Sequence, residues 1–239
     1  MVDTIKISKN IKMVAHRGLS GLECENTLAA FIAAGNRDYF GIETDVHVTA
    51  DGQLVVIHDD VTDRVSQSKL SVEGSNFADL RSITLLDKDG EPRIDLHIPT
   101  LAEYLKICCR YDKVAVLELK NQFEQKDIEK IVETVKAEYA VDKLIFISFC
   151  YENLVILRSL LPEATLQFLC GCEINAELAD KLLAYRMDLD IHYKSINKEA
   201  VELLHSKGIQ VNCWTCDTKE EAEYLIDCGV DFITSNILQ

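Results

Sequence analysis

Apolar and polar positions follow two rhythms along this chain. Short runs rich in β-branched or other apolar side chains fall at residues 11–15, 41–46, 114–119, 144–148, 165–169, 189–193, 209–214 and 231–234. Their length and content predict buried strands. Between most of them, apolar residues recur at intervals of three and four. Ile128, Ile131, Val132 and Val135 make one such stripe, and similar stripes cross 101–108, 153–161, 178–183, 200–204 and 222–226. Each predicts an amphipathic helix. Gly208 and Gly229 stand just past two of these stripes, where a left-handed cap is wanted, and Gly35 is expected to stop the first helix in the same way.

Strands that alternate with helices pair in parallel, and eight is the number that closes a barrel. The expected fold is therefore an α/β TIM (β/α)8 barrel. A doubly wound open sheet is the alternative, but it favours a glycine-rich first turn and the chain has no G-x-G-x-x-G. Two irregularities stand out. Residues 47–98 are too long for a simple connection, and they predict a hairpin that turns at Asp51-Gly52 into a strand at 53–57. This reads as a small insertion after strand 2. The sequence also stops five residues after the eighth strand, so the last helix is expected to be missing or vestigial. Residues 1–239 read as one barrel domain.

Composition changes this picture mainly by exclusion. Of 239 residues, 48% are hydrophobic and 27% charged, which suits a globular core rather than disorder. The longest wholly apolar run, 28–34, has seven residues, against roughly 18 for a membrane span. The first residues carry no apolar stretch, so no secretory leader is expected. Forty acidic against 25 basic side chains give a net charge of −15, which repels nucleic acid and anionic membranes. A soluble cytoplasmic protein acting on a small molecule, with no stable membrane association, is expected. Nine scattered cysteines fit a reducing compartment, since an odd number cannot pair fully. Cys170-Gly-Cys172 and Cys213-Trp-Thr-Cys216 could be redox or zinc sites. The second ends a late strand instead of opening an early helix, so small buried hydrophobes is the favoured reading.

Barrel enzymes carry their chemistry at the C-terminal ends of strands. Here those ends hold His16-Arg17-Gly18 after strand 1, Glu43 and Asp45 on strand 2, and Glu118 and Lys120 on the next barrel strand. Residues two apart share a strand face. The predicted hairpin adds His58-Asp59. Three carboxylates converging at a barrel mouth need compensation, and oxygen-only ligands suit Mg²⁺ or Ca²⁺ better than zinc. With a divalent ion, Arg17 and Lys120 would bring the pocket to about +1, suited to a phosphodiester monoanion. Two histidines beside it could serve as acid and base.

The stretches VAHRGLSGLECENTLAAF and GIETDVHVTADGQLVVIHDDVTDRVS carry H-R-G, E-N-T, E-x-D and H-D in order. With later echoes at Ile98-Pro99-Thr100-Leu101, Leu117-Glu118-Leu119-Lys120 and Trp214-Thr215, the chain resembles the glycerophosphodiester phosphodiesterase family over almost its whole length. The resemblance implies a divalent-metal TIM barrel that hydrolyses glycerophosphodiesters to glycerol 3-phosphate and an alcohol. Residue by residue, it implies metal ligation by Glu43, Asp45 and Glu118, catalysis by His16 and His58, and phosphate contacts from Arg17 and Lys120. Trp214 matches an aromatic wall beside the substrate. Glu25-Asn26-Thr27 reads locally as a helix start with Asn26 or Thr27 as N-cap, and it is expected to support the site residues, with no metal ligation assigned to it. Cys24 replaces the family's usual proline, and Thr234-Ser235-Asn236-Ile237 departs from its usual T-D-x-P. His47, His97, His192 and His205 are assigned no role. A lyase that cyclises a lipid phosphodiester on the same fold, and a non-catalytic phosphodiester-binding barrel, remain alternatives.

Overall fold

The computed structural model describes residues 4–7 and 11–239. Nine strands form one sheet: β1 (Lys12–Ala15), β2 (Gly41–Val48), β3 (Leu54–Val56), β4 (Val114–Leu119), β5 (Leu144–Ser148), β6 (Thr165–Cys170), β7 (Asp188–His192), β8 (Val211–Trp214) and β9 (Phe232–Ser235). All neighbours pair in parallel except β3, which lies antiparallel to β2. Because β1 pairs with both β2 and β9, the other eight strands close into a barrel. An open doubly wound sheet is thereby excluded.

The helices α1 (Leu28–Gly35), α3 (Leu101–Tyr111), α4 (Gln125–Glu138), α5 (Tyr151–Leu160), α6 (Ala176–Ala184), α7 (Lys198–Ser206) and α8 (Lys219–Cys228) alternate with the barrel strands. A short α2 (Phe77–Arg81) lies in the insertion. No helix follows β9 in the described residues. Side-chain caps set several starts. Thr27, Asn175, Asn197 and Thr218 each accept the N–H of the third residue beyond, and Thr100 and Glu103 complete a capping box.

Strand faces divide between two cores. Outward residues such as Ile42, Val46, Leu117, Phe146, Ile191 and Cys213 pack under the helices. Inward residues Val14, Val116, Ile145, Ile147, Leu169 and Phe232 fill the lumen. Burial on both faces explains why β2 is buried over seven of its eight residues. The insertion has its own apolar cluster, including Val55, Ile57, Val72, Leu80, Leu85, Leu96 and Ile98. Arg81 ties it to α3 through two 2.8 Å bonds to Glu103. The expected hairpin is present, with Gly52 at φ +76° in its turn.

One expectation fails. Gly35 is no left-handed stop: it is the last residue of α1, and the chain leaves through Asn36 at φ −78°. Its reason is space, because a Cβ there would lie 2.6 Å from the Tyr111 ring.

Candidate active site

The acidic wall is built on β2 and β4. Glu43, Asp45 and Glu118 are buried, and each offers an oxygen within 4.8 Å of the others. The register places Asp45 directly beside Glu118. Asp45 Oδ1 and Glu118 Oε1 accept no hydrogen bond, while Lys120 Nζ stands 3.7 and 3.0 Å from them. Burial, followed by Asp45 and Glu118, pushes the Glu43 carboxyl well above the usual range. Burial and Asp45 likewise lift Glu118 to about 7 against the pull of Lys120. At Asp45 burial is outweighed by Arg17 and Lys120, and its carboxyl falls below the ordinary value. Mutually repelling buried carboxylates whose lone pairs outnumber the donors reaching them fit a hard divalent cation held by oxygen.

Arg17 and Gly18 follow β1 in consecutive left-handed conformations, φ +54° and +76°. A non-glycine residue there costs of order 1 kcal/mol. The turn is compensated by two bonds: Arg17 N–H donates to Glu43 Oε2 at 2.8 Å and Gly18 N–H to the Glu43 carbonyl at 3.2 Å. Glycine is required at 18 because a Cβ would meet the Ala30 backbone at 2.7 Å. The Arg17 guanidinium then reaches Glu25 at 2.9 Å and Asp45 at 3.7 Å.

Each histidine is held through Nδ1. For His16 the partner is Asn236 Oδ1 at 2.8 Å. That oxygen is an acceptor, because Asn236 Nδ2 donates to Asp217 at 2.6 Å and Ser20 Oγ donates to Oδ1. His16 therefore carries its proton on Nδ1 and leaves Nε2 as an acceptor. Burial, reinforced by Arg17, lowers its imidazole to about 4. For His58 the partner is a carboxylate, Asp59 Oδ1 at 2.7 Å. Burial lowers this ring too, but Asp45 and Asp59 pull against the shift.

Arg64 in the insertion donates to both Asp59 and Glu25. Glu25 also meets Arg17, so an ionic chain runs from the barrel to the hairpin. Burial pushes Glu25 up, yet the two arginines outweigh it and hold the carboxyl at about 2. Asn26, itself at φ +54°, donates to Asp45 Oδ2 at 2.7 Å and accepts from Thr44. Thr27, not Asn26, caps α1.

The opposite wall differs in kind. Trp214, Phe149, Ile147, Leu169, Asp190 and Thr234 line the same cavity as His16, Arg17, Glu43, His58, Glu118 and Lys120. Trp214 meets Phe149 and His192 edge-on at 5.6 and 5.3 Å. All eight residues expected at the site thus lie together, Asp45 through the acidic cluster.

Asn26 takes the supporting place expected of Glu25-Asn26-Thr27, whereas sequence reasoning missed Arg64, Asp190, Asp217 and Asn236, and undervalued His47. That ring is fully buried, with Nδ1 at 3.1 Å from Glu73 and Nε2 at 3.3 Å from the His58 carbonyl. His97 and His205 bond to Ile83 and Asp231 away from the cavity. Cys213 and Cys216 are buried in the outer core, and the Cys170 and Cys172 sulfurs lie 2.8 Å apart.

Residues 16–238 match the pattern of the glycerophosphoryl diester phosphodiesterase family. The chain belongs to that family. It is accordingly an enzyme of the phosphodiesterase class on a closed TIM barrel. Among its relatives is a glycerophosphodiester phosphodiesterase of Caldanaerobacter subterraneus subsp. tengcongensis, 32% identical over 228 residues, which span 94% of this chain and 93% of that one. An Oleispira antarctica phosphodiesterase, solved in complex with the product sn-glycerol-3-phosphate, superposes with a TM-score of 0.88 at 28% identity, covering 94% and 92% of the two chains. A glycerophosphodiester phosphodiesterase of Parabacteroides distasonis gives 0.79 at 27% identity, covering 98% and 94%. Among the described residues of this family member, no helix is long and apolar enough to cross a membrane.

Proposed function

We propose that this chain hydrolyses glycerophosphodiesters to glycerol 3-phosphate and an alcohol, with His16 as general base and His58 as general acid beside one Mg²⁺ or Ca²⁺ ion. The observation that carries this reading is one cavity holding a buried carboxylate triad, two cationic side chains and two Nδ1-anchored histidines. Glu43, Asp45 and Glu118 would hold the cation. When bound, it would supply Lewis-acid stabilisation of charge on the phosphoryl oxygens.

The rest is the work of side chains. Arg17 and Lys120 bind the phosphodiester and counter the charge that grows on it. His16, uncharged at neutral pH and with Nε2 free, takes the proton of the attacking oxygen. His58 gives a proton to the departing alkoxide, and Asp59 favours its charged form for that purpose. Trp214 and Phe149 exclude water from the far wall. The nine free thiols support a reducing, cytoplasmic setting.

The test is a purified-protein assay with glycerophosphocholine, glycerophosphoethanolamine and bis(4-nitrophenyl) phosphate, each with and without EDTA. Metal-dependent release of glycerol 3-phosphate and a free alcohol is expected. Full activity after metal stripping, or accumulation of a cyclic phosphate as the final product, would overturn the reading.

A further inference from the structure

Of the buried polar atoms in the cavity that lack a hydrogen-bond partner, two lie outside the groups assigned to catalysis, phosphate binding and metal ligation. Asp190 is only 2% exposed, and its Oδ1 makes no hydrogen bond. The indole Nε1 of Trp214 is likewise buried without an acceptor. Both residues line the cavity shared by His16, His58 and Glu118. Their strands are neighbours: β7 pairs with β8 so that Asp190 lies beside Asn212 and His192 beside Trp214.

The neighbouring Asn212 behaves differently: it donates to Gln167 at 3.1 Å and accepts from Thr234 at 3.3 Å, engaging both of its own ends in a small ladder in which Gln167 Nε2 alone lacks an acceptor. Asp190 takes no part in that ladder. The remaining wall at this level, Ile147 and Leu169, is apolar. A carboxyl placed there costs free energy unless something that enters the cavity satisfies it. An ammonium would suit a carboxylate, but it brings no acceptor for the Trp214 Nε1 proton in the same cavity. A carboxyl oxygen accepts a hydrogen bond, and an indole N–H can only give one. Together they suit a hydroxyl, whose oxygen accepts and whose proton donates.

We infer that Asp190 and Trp214 form a hydroxyl-recognition site that selects the polyol end of the substrate over an unhydroxylated alkyl group. The inference rests on the phosphodiesterase reading, which puts the phosphate at Arg17 and Lys120 on the facing wall. Asp190 thus determines specificity and takes no part in proton transfer to the reacting oxygens. A substrate would be held by charge at one end and by paired hydroxyl bonds at the other. Sites built to bond a hydroxyl reject analogues that lack one, because their own buried groups are then stranded.

The experiment compares sn-glycerol 3-phosphate with propyl phosphate, which has the same carbon count and phosphate but no hydroxyl. Binding is measured by titration calorimetry in saturating Ca²⁺, so the readout does not depend on turnover. Wild-type protein is expected to prefer the hydroxylated ligand by at least about 10-fold. Asp190→Ala should bring the two affinities within about two-fold of each other while leaving propyl phosphate unchanged. Asp190→Asn, near-isosteric and still able to give and accept hydrogen bonds, should keep part of the preference and guards against a folding artefact. Trp214→Phe, which keeps a ring and loses the donor, should weaken glycerol 3-phosphate more than propyl phosphate.

Equal weakening of both ligands in Asp190→Asn would mean a structural role and overturn the inference. So would an unchanged preference in Asp190→Ala, or no preference in the wild type. If wild-type protein bound neither phosphate, the phosphodiesterase reading itself would fall, and the inference with it.

Discussion

The two walls of the barrel mouth are built on opposite principles. On the β1–β2–β4 side charged and polar groups brace one another: Glu43 takes the Arg17 backbone, Asp45 takes Asn26, and Glu25 links Arg17 to Arg64. The atoms left without hydrogen bonds there, Arg17 Nε and Asp45 Oδ1 among them, face charges of opposite sign or the proposed cation site. On the β7–β8 side a carboxyl and an indole stand unpaired among apolar neighbours. A braced wall keeps its geometry before anything binds, as electrostatic catalysis requires. An unbraced wall holds its hydrogen bonds in reserve for a ligand. On the proposed reading, the contrast separates the groups that perform the reaction from those that choose what undergoes it.

The largest effects should come from the braced wall. His16→Ala should lower kcat about 10²–10⁴-fold on every substrate, the usual weight of a general base. His58→Ala should be as damaging with glycerophosphocholine, whose alkoxide needs a proton, yet retain far more activity with bis(4-nitrophenyl) phosphate. Steady-state rates on both substrates decide this, and equal losses in both variants would refute the division of roles. Asp45→Asn should come next. It removes charge from the triad, so it should weaken Ca²⁺ or Mg²⁺ binding by calorimetry, and excess metal should restore part of the lost rate.

Asn236→Ala tests bracing without touching substrate or metal. The His16 ring loses its Nδ1 partner and can turn, so kcat should fall about 10- to 100-fold with little change in KM. A change confined to KM would show that Asn236 shapes the pocket instead. The smallest effect should be one of stability. Glu25, at about 2 in the folded chain against 4.5 ordinarily, stabilises the fold above pH 4.5, and that contribution is lost as pH falls through 2. The melting-temperature gap between wild type and Glu25→Gln should therefore be a few degrees at pH 6 and vanish near pH 2. A gap independent of pH would place the effect in packing rather than charge.

How much of this was legible beforehand follows from the physics of each signal. Strands β1, β4 and β5 announce themselves locally, because a strand buried on both faces must be apolar along its length. Glu43 and Asp45 were legible for a related reason: charged residues two apart in such a strand have no bland explanation. Asn236, Asp217 and Arg64 were not, since their meaning lies in side-chain contacts that no periodicity marks, up to 220 residues apart for His16 and Asn236. The departure from the usual family pattern at Ser235-Asn236 was visible, but its link to His16 becomes apparent only once β9 lies against β1. Asp190 was hidden by its setting, since one acid in a run reading Asp188-Leu189-Asp190 looks like solvent-facing alternation. Gly35 misled because a glycine after a helix has two physical uses, and only Tyr111 tells them apart.

The bond between His16 and Asn236 joins positions 220 residues apart. A contact of such sequence separation requires β1 and β9 to meet, which closes a loop of nearly the whole chain. A nascent chain still lacking its ninth strand could already bury most of its helices, yet its imidazole would swing free. If His16 is the base, as proposed, proton abstraction would require a molecule whose two ends have met. Recovery of turnover during refolding should consequently lag behind recovery of helical circular dichroism, making the enzyme its own reporter of ring closure.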